Sequence, residues 1–435
     1  MAREKRYSLE ILDSTEGKLL AQTIQSERMA RNEEVTVAAK TICDRIREEG
    51  DAALIDYTAR FDKIQLTPET LRLSTGSIEE AARKADPRLQ ETIREAAQRI
   101  RAYHQKQGQK GFSMQIGEGT LSQLIRPLDR VGVYVPGGYT AYPSSVLMTV
   151  IPAQIAGVKE IVAVTPAHGR INPGVAFALS YLQIGEIYQI GGAQAVAALA
   201  YGTDTIRPVA KIVGPGNAYV AAAKKLMYGQ VDIDSVAGPS EVAILADDSI
   251  DPSWVALDLL SQAEHGSGDE IAVCVTEDGQ FAHKIARALQ EEIVASPVRE
   301  VLEKLPAHAI SIFVAQSRQR SIEFINWFAP EHLQIITKSW EADLEGIRNA
   351  AAVFIGAFTP VALGDYFVGT NHVLPTGSGA RYASPLGVES YMKRMSVAHI
   401  SAEGLQQVAP HVSRFARSEN FVHHAMSVER RLENR

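Results

Sequence analysis

An α/β fold class, built on parallel doubly wound sheets, follows from three observations. From Arg130 onward, short runs rich in β-branched residues alternate with Ala-rich helical stretches. Glycine and proline stand where those runs end, the turn chemistry of strand-to-helix connections. The chain has 435 residues, too many for one hydrophobic core, so more than one domain is expected.

In chain order, residues 1–26 are polar and read as an arm. A helical period runs from Glu34 to Thr58 through Val35, Val37, Ile42, Ile46, Leu54 and Ile55, with Gly50-Asp51 as a break. Residues 78–107 read as one long charged helix. Then come the alternating units. Val131–Val135 is followed by Pro136-Gly137-Gly138, and Ile161–Thr165 by Pro166. Ile187–Ile190 meets Gly191-Gly192 and a helix over 193–201, and Lys211–Val213 meets Gly214-Pro215-Gly216-Asn217 and a helix over 218–227. A second set has strands at 240–246, 271–276, 310–314, 335–337 and 352–355, with helices over 252–265, 278–294 and 317–327 between them. Residues 386–435 read as mostly helical and charged.

Composition excludes several classes. A net charge of −7 argues against a nucleic-acid or anionic-membrane partner. The longest apolar stretch, Val146 to Val158, is interrupted by Pro152 and Gln154 and is too short to span a bilayer. No apolar leader follows Met1, so a cytoplasmic location is expected. Two cysteines, Cys43 and Cys274, make neither a disulfide framework nor a thiolate zinc site.

The chemistry-bearing residues cluster in a few segments. Ser261-Gln262-Ala263-Glu264-His265 closes an apolar helical run, and Gln262 and His265, three apart, share a helix face. Asp365 stands in a loop bounded by Gly364 and Gly369. An amide oxygen, imidazole nitrogens and a carboxylate suit a mixed N/O zinc site. The same residues also fit a solvated helix end and a turn. Glu331 and His332 follow Pro330, which suggests a helix's first turn or an irregular turn where both side chains reach one pocket. Histidine suits proton transfer near neutrality, and the bland reading is a structural histidine beside a helix-start glutamate. The glycine turns either terminate strands or let backbone amides approach a phosphate at a helix N-terminus.

Taken together, these segments resemble the histidinol dehydrogenase family. The motifs are Arg130-Val-Gly-Val-Tyr-Val-Pro-Gly-Gly138, Ala141-Tyr-Pro-Ser-Ser-Val-Leu147, Gly191-Gly-Ala-Gln-Ala195, Ile212-Val-Gly-Pro-Gly-Asn217, Ala237-Gly-Pro-Ser-Glu241, Leu259 to His265, Ala329-Pro-Glu-His-Leu333 and Asn371-His-Val-Leu-Pro-Thr376. The resemblance implies one zinc ion per subunit, held by Gln262, His265, Asp365 and His424, the last supplied by the partner subunit of a homodimer. It implies Glu331 and His332 as the catalytic pair and Tyr134, Gln194 and Asn217 as NAD contacts. Ser240, His372 and Glu419 would touch the substrate, L-histidinol, together with the zinc ligands and His332. It further implies two Rossmann-like domains, an N-terminal arm and a small helical C-terminal domain. Their expected bounds are 1–26 for the arm, 27–130 with 239–380 for the catalytic and metal-binding domain, 131–238 for the NAD domain and 381–435 for the dimer-contacting C-terminal domain.

One segment departs from the family pattern. Where the family usually has Glu-Gly-Leu, two residues and His, this chain reads Glu419-Asn420-Phe421-Val422-His423-His424. Helix spacing pairs Glu419 with His423, whereas motif spacing selects His424 as the ligand. The resemblance implies a four-electron oxidation of L-histidinol to L-histidine with NAD⁺. Competing readings are a paralogue oxidising an amino or sulfonated diol and a non-catalytic metal- or nucleotide-binding protein. An aldehyde-dehydrogenase thiohemiacetal is rejected because neither cysteine has a local activating context.

Overall fold

The structure is a computed structural model, which describes residues 11–12, 33–137, 142–167, 169–236, 238–264, 269–306 and 309–433. Two parallel sheets organise it. The first takes the strands Arg130–Tyr134, Glu160–Val164, Glu186–Tyr188, Lys211–Val213 and Asp232–Ile233. Its spatial order is third, second, first, fourth, fifth. The second takes Glu241–Ala246, Ile271–Thr276, Ile310–Val314, His332–Ile336 and Ala352–Ile355 in the same order, with Ile11–Leu12 added beside Ile310–Val314. Both therefore have the doubly wound plan, in which the winding reverses between the first and fourth strands.

Local chemistry explains the crossovers. Asn172, Asn217, Asp251, Asp278 and Ser317 each precede a helix and accept backbone N–H bonds from its first turn, satisfying donors that the helix leaves open. The helix Pro143–Ala156 opens on proline and stops at Gly157, whose φ of 90° suits glycine. The strands Arg130–Tyr134, Glu241–Ala246 and Ile271–Thr276 are buried along their whole length, as strands covered by helices on both faces must be.

The helices over 33–49 and Asp51–Asp62 are separated at Gly50, the expected break. They send Ile42, Ile46 and Leu54 into the core beneath the first sheet, beside Val162 and Ala198. The single helix expected over 78–107 is instead two, Thr75–Arg83 and Pro87–His104. Pro87 cannot extend the first helix but fits the second's opening turn, and Asp86 caps it through Arg88 and Leu89 N–H.

The C-terminal region also differs from its helical expectation. Met392–Ile400 is a nine-residue strand, paired antiparallel with Gly119–Pro127, which in turn pairs with Phe112–Ile116. Helices Ala402–Ser418 and Val422–Glu433 follow. Met392–Ile400 is largely exposed, so it lacks the buried alternation that marks a strand in sequence. Among the described residues no helix is long and apolar enough to cross a membrane.

Candidate active site

A cavity of about 940 Å³ opens between the two sheets. The first sheet meets it with the C-terminal ends of its strands: Tyr134, the Pro136-Gly137 turn, Gly192 to Gln194, and Pro215 to Asn217. The second meets it with the N-terminal ends, through Ser240 just before one strand and Glu331 and His332 at the start of another. Asp365, Tyr366 and His372, from the segment after the last strand, complete this wall. Eight of the residues singled out in the sequence, Tyr134, Gln194, Asn217, Ser240, Glu331, His332, Asp365 and His372, thus line one space.

Glu331 lies not in a helix's first turn but in an irregular turn between a helix and a strand, and both side chains line one cavity. His332 opens the strand His332–Ile336, which starts three residues earlier than the run at 335 suggested. Ala329, at φ 50°, ends the preceding helix in the left-handed region, costing roughly 1–2 kcal/mol for a non-glycine residue. Neighbouring side chains converge because both dock on the backbone of one residue, Glu241. Glu331 Oε2 accepts from Glu241 N–H at 3.0 Å, and His332 Nδ1 lies 3.2 Å from Glu241 C=O. With Nδ1 facing a carbonyl, Nδ1 carries a proton in either charge state and Nε2 turns toward Asp365. Nε2 lies 3.4 Å from Asp365 Oδ1, and Nδ1 lies 3.6 Å from Glu331 Oε2.

These contacts set the charge balance. Burial pushes Glu331 up to about 7, against the pull of His332 and the Glu241 amide. Burial would lower His332, but the carboxylates of Glu331 and Asp365 outweigh it and raise the imidazole to about 9. A buried carboxylate titrating near neutrality beside a basic imidazole is the pairing expected of acid–base chemistry.

Asp365 lies on the short helix Val361–Tyr366, not in a loop, because Pro360 starts a turn that the two glycines do not interrupt. Its carbonyl accepts from His372 Nδ1 at 2.8 Å, so His372 Nε2 points toward Ser145 Oγ at 3.5 Å. Sequence reading did not assign Ser145 a role, although it lies within one of the motifs quoted. Asn371 donates to Met148 C=O at 2.8 Å and approaches His104 Nε2 at 3.2 Å, so His104 is a buried structural histidine with a partner.

On the opposite wall, backbone takes the place of side chains. Tyr134 is buried, which pushes its phenol up to about 12, and its hydroxyl accepts from Gly192 N–H at 3.0 Å. The N-cap residue of the helix Gly192–Tyr201 gives no side-chain cap; Tyr134 takes the Gly192 amide, and the next residues of the first turn, Ala193 and Gln194, border the cavity. A Cβ on Gly192 would come within 2.5 Å of Gln194 Oε1, and one on Gly216 within 2.4 Å of Val220 Cγ1. Asn217 spends its side-chain oxygen capping Tyr219 and Val220 N–H. Arg60, Phe61 and Asp62, from the helix end at Asp62, also reach this wall and were not singled out in the sequence.

Gln262, Glu419 and His424 do not line this cavity. Gln262 is buried near the end of the helix Pro252–Ala263 and is not part of the lining. His265 lies outside the described residues. Glu419 and His424 are exposed, at the end of one C-terminal helix and the start of the next. Among the described residues no three His, Cys, Asp or Glu side chains form a metal-sized group. Both cysteines are buried, which pushes each thiol up to about 12 and disfavours the thiolate, and neither lines the cavity.

Comparison with known proteins supplies what this geometry leaves open. The chain is 45% identical over 404 residues to a histidinol dehydrogenase of Rhizobium meliloti, covering 92% of this chain and 93% of that one. It is 45% identical over 407 residues to a histidinol dehydrogenase of Bacillus subtilis, covering 92% and 94%. The crystal structure of histidinol dehydrogenase from Elizabethkingia anophelis superposes with a TM-score of 0.86 at 36% identity, over 91% of this chain and 92% of that one. The histidinol dehydrogenase family model matches residues 25–432. Similarity that runs through both sheets and the C-terminal helices alike makes this chain a member of the histidinol dehydrogenase family.

Proposed function

We propose that the protein oxidises L-histidinol to L-histidine at the expense of two NAD⁺, through an aldehyde that stays bound, as the last steps of histidine biosynthesis. The observation that carries this reading is the buried Glu331–His332 pair, docked on the Glu241 backbone and facing a wall of glycine turns. That wall fits a dinucleotide: the first turn of the helix Gly192–Tyr201 borders the cavity at Ala193 and Gln194, where a helix N-terminus suits a pyrophosphate, and the glycines allow close approach. NAD⁺ bound there supplies the hydride acceptor, once per oxidation.

The chain's own residues carry the protons. In its neutral form, reached as the pH approaches about 9, His332 takes the alcohol proton on Nε2 while Nδ1–H stays on Glu241 C=O. The second oxidation needs a tetrahedral carbon, so water must add to the aldehyde first. Glu331, raised to about 7, activates that water, and His332, once it has released the first proton to solvent, takes a hydroxyl proton of the hydrate. His372, Ser240 and Glu419 orient the substrate, and Tyr134, Gln194 and Asn217 hold the cofactor.

The donor set Gln262, His265, Asp365 and His424 fits zinc: it is all nitrogen and oxygen, with no thiolate. Bound there, zinc would orient the substrate's amino and imidazole nitrogens. The exposed positions of Glu419 and His424 support their presentation to a second copy of the chain. Two buried, unpaired thiols are compatible with a reducing cytoplasm. Relatives similar over nearly the whole chain bear the histidinol dehydrogenase name, and nothing favours another small alcohol as substrate.

The test is an NADH assay with L-histidinol, expected to give about two NADH per substrate. A metal-containing protein that forms no NADH would overturn the reading. For the shared site, His424→Ala should lose zinc and His423→Ala should keep it. Mixing His332→Asn with His424→Ala protomers should restore activity, because one of the two mixed sites carries neither lesion. Absence of recovery after verified subunit exchange would refute the composite site.

A further inference from the structure

Away from the Glu331–His332 pair, a lysine–aspartate ion pair is buried at both ends. Lys224, on the helix Ala218–Met227, and Asp234, just past the strand Asp232–Ile233, have side chains 1% and 4% exposed and are in salt-bridge contact. Stability does not explain such a pair, since apolar replacements of buried ion pairs are often neutral or stabilising. Its remaining bonds show what it serves. Lys224 Nζ donates to Gly214 C=O at 3.0 Å. Asp234 Oδ2 accepts from Gly214 N–H at 2.7 Å, and Oδ1 accepts from Ser235 N–H at 2.7 Å. The pair therefore grips both polar groups of one residue.

That residue begins the turn Gly214-Pro215-Gly216-Asn217, at the point where the winding of the first sheet reverses. Gly214 has φ 116°, and a Cβ there would lie 2.2 Å from Tyr134 C=O, so only glycine fits. The next three residues line the cavity. A nearby pair supplies the contrast. Lys211 bonds Asp232 at 2.8 Å, but the Asp232 side chain is 52% exposed and neither residue lines the cavity.

We infer that Lys224 and Asp234 are positioning residues that hold the Gly214–Asn217 turn in its cofactor-binding shape before the cofactor arrives. The inference rests on the reading that NAD⁺ binds at this wall. A preset turn avoids ordering cost on binding, so removal of the pair should act on cofactor affinity more than on the chemical step.

The variant to measure is the doubly neutral Lys224→Met/Asp234→Asn, with Lys211→Met as control. Thermal unfolding should remain close to wild type. The Kd for NAD⁺ by calorimetry should rise by about tenfold to a hundredfold, the scale seen when groups that orient a ligand-binding residue are removed. At saturating NAD⁺, kcat and the KM for L-histidinol should change far less, and Lys211→Met should leave the NAD⁺ affinity alone. A folded double variant with wild-type affinity would make the pair structural only and overturn the inference. Hydrogen exchange on the wild-type protein decides the matter even if the double variant does not fold. The Gly214 amide should be protected without NAD⁺ and stay so when it is added. An amide that is free until NAD⁺ binds would refute pre-positioning. A wild-type protein that binds no NAD⁺ would sink the functional proposal instead, while Gly214 protection would still report on the grip.

Discussion

The two sheets share one strand order but use their N-terminal edges in opposite ways. In the first, that edge is closed by charge pairing. Arg130, Glu160 and Glu186 each begin a strand, and Arg130 donates to Glu160 at 2.9 Å and to Glu186 at 2.6 Å. In the second, Glu241 and His332 also begin strands and Glu331 immediately precedes one, but no lysine or arginine pairs with Glu331 or His332 among the described residues. The pKa values follow. The Arg130 guanidinium holds Glu186 below the usual carboxylate range, whereas burial pushes Glu331 up to about 7. A carboxylate at an N-terminal strand edge is held charged where a guanidinium accompanies it and is pushed toward neutrality where burial dominates. Fold analogy alone would mislead here, because ligands of doubly wound sheets are expected at the C-terminal ends of strands, which only the first sheet presents to the cavity.

The largest effect should come from breaking the reactive edge. His332→Asn removes the proposed proton acceptor and should lower the overall rate by roughly a thousand- to ten-thousand-fold. Glu331→Gln should cost about a hundredfold overall but spare more of the alcohol-to-aldehyde half, because water is needed only afterwards. Separate assays with L-histidinol and with its aldehyde check this, and equal loss in both halves would contradict the division of labour.

An intermediate effect is expected at the glycine wall. Gly192 has φ 64°, and an added Cβ meets the movable amide of Gln194. Gly192→Ala should raise the KM for NAD⁺ by about tenfold, from roughly 1–2 kcal/mol of left-handed strain and a displaced Gln194, with kcat little changed. A fall in kcat at saturating NAD⁺, with KM unmoved, would erase the contrast between a binding wall and a reacting wall.

The smallest effect lies at the closed edge. Arg130→Leu should destabilise the fold by about 2 kcal/mol near neutral pH. This is below the figure for a fully buried pair because the Glu186 side chain is 22% exposed. Activity per folded molecule should not change. The sign with pH follows from the lowered Glu186 pKa: its contribution is complete above the unfolded value of about 4.3 and disappears as pH falls through the folded value. Denaturant unfolding across that range should therefore show the gap between wild type and variant closing in acid. A gap that widened in acid would exclude the clasp as its source.

Sequence by itself determined the features that local chemistry encodes. The alternation of β-rich and Ala-rich runs specified two parallel sheets, and Asn217, Asp251 and Asp278 specified helix starts, because a capping side chain acts within three residues of itself. The Glu331-His332 dipeptide and the glycine turns also stood out, since few residue types can do their chemistry. Tertiary structure decided what depends on distant partners. The strand Met392–Ile400 exists because Gly119–Pro127 lies beside it, and an exposed strand leaves no buried alternation to read. Convergence of Glu331 and His332 required the Glu241 backbone of another strand, since neighbours along an extended chain otherwise diverge. Which edge of each sheet faces the cavity was decided last of all. Periodicity fixes what a strand buries, whereas the end it presents to a ligand depends on how two complete sheets pack.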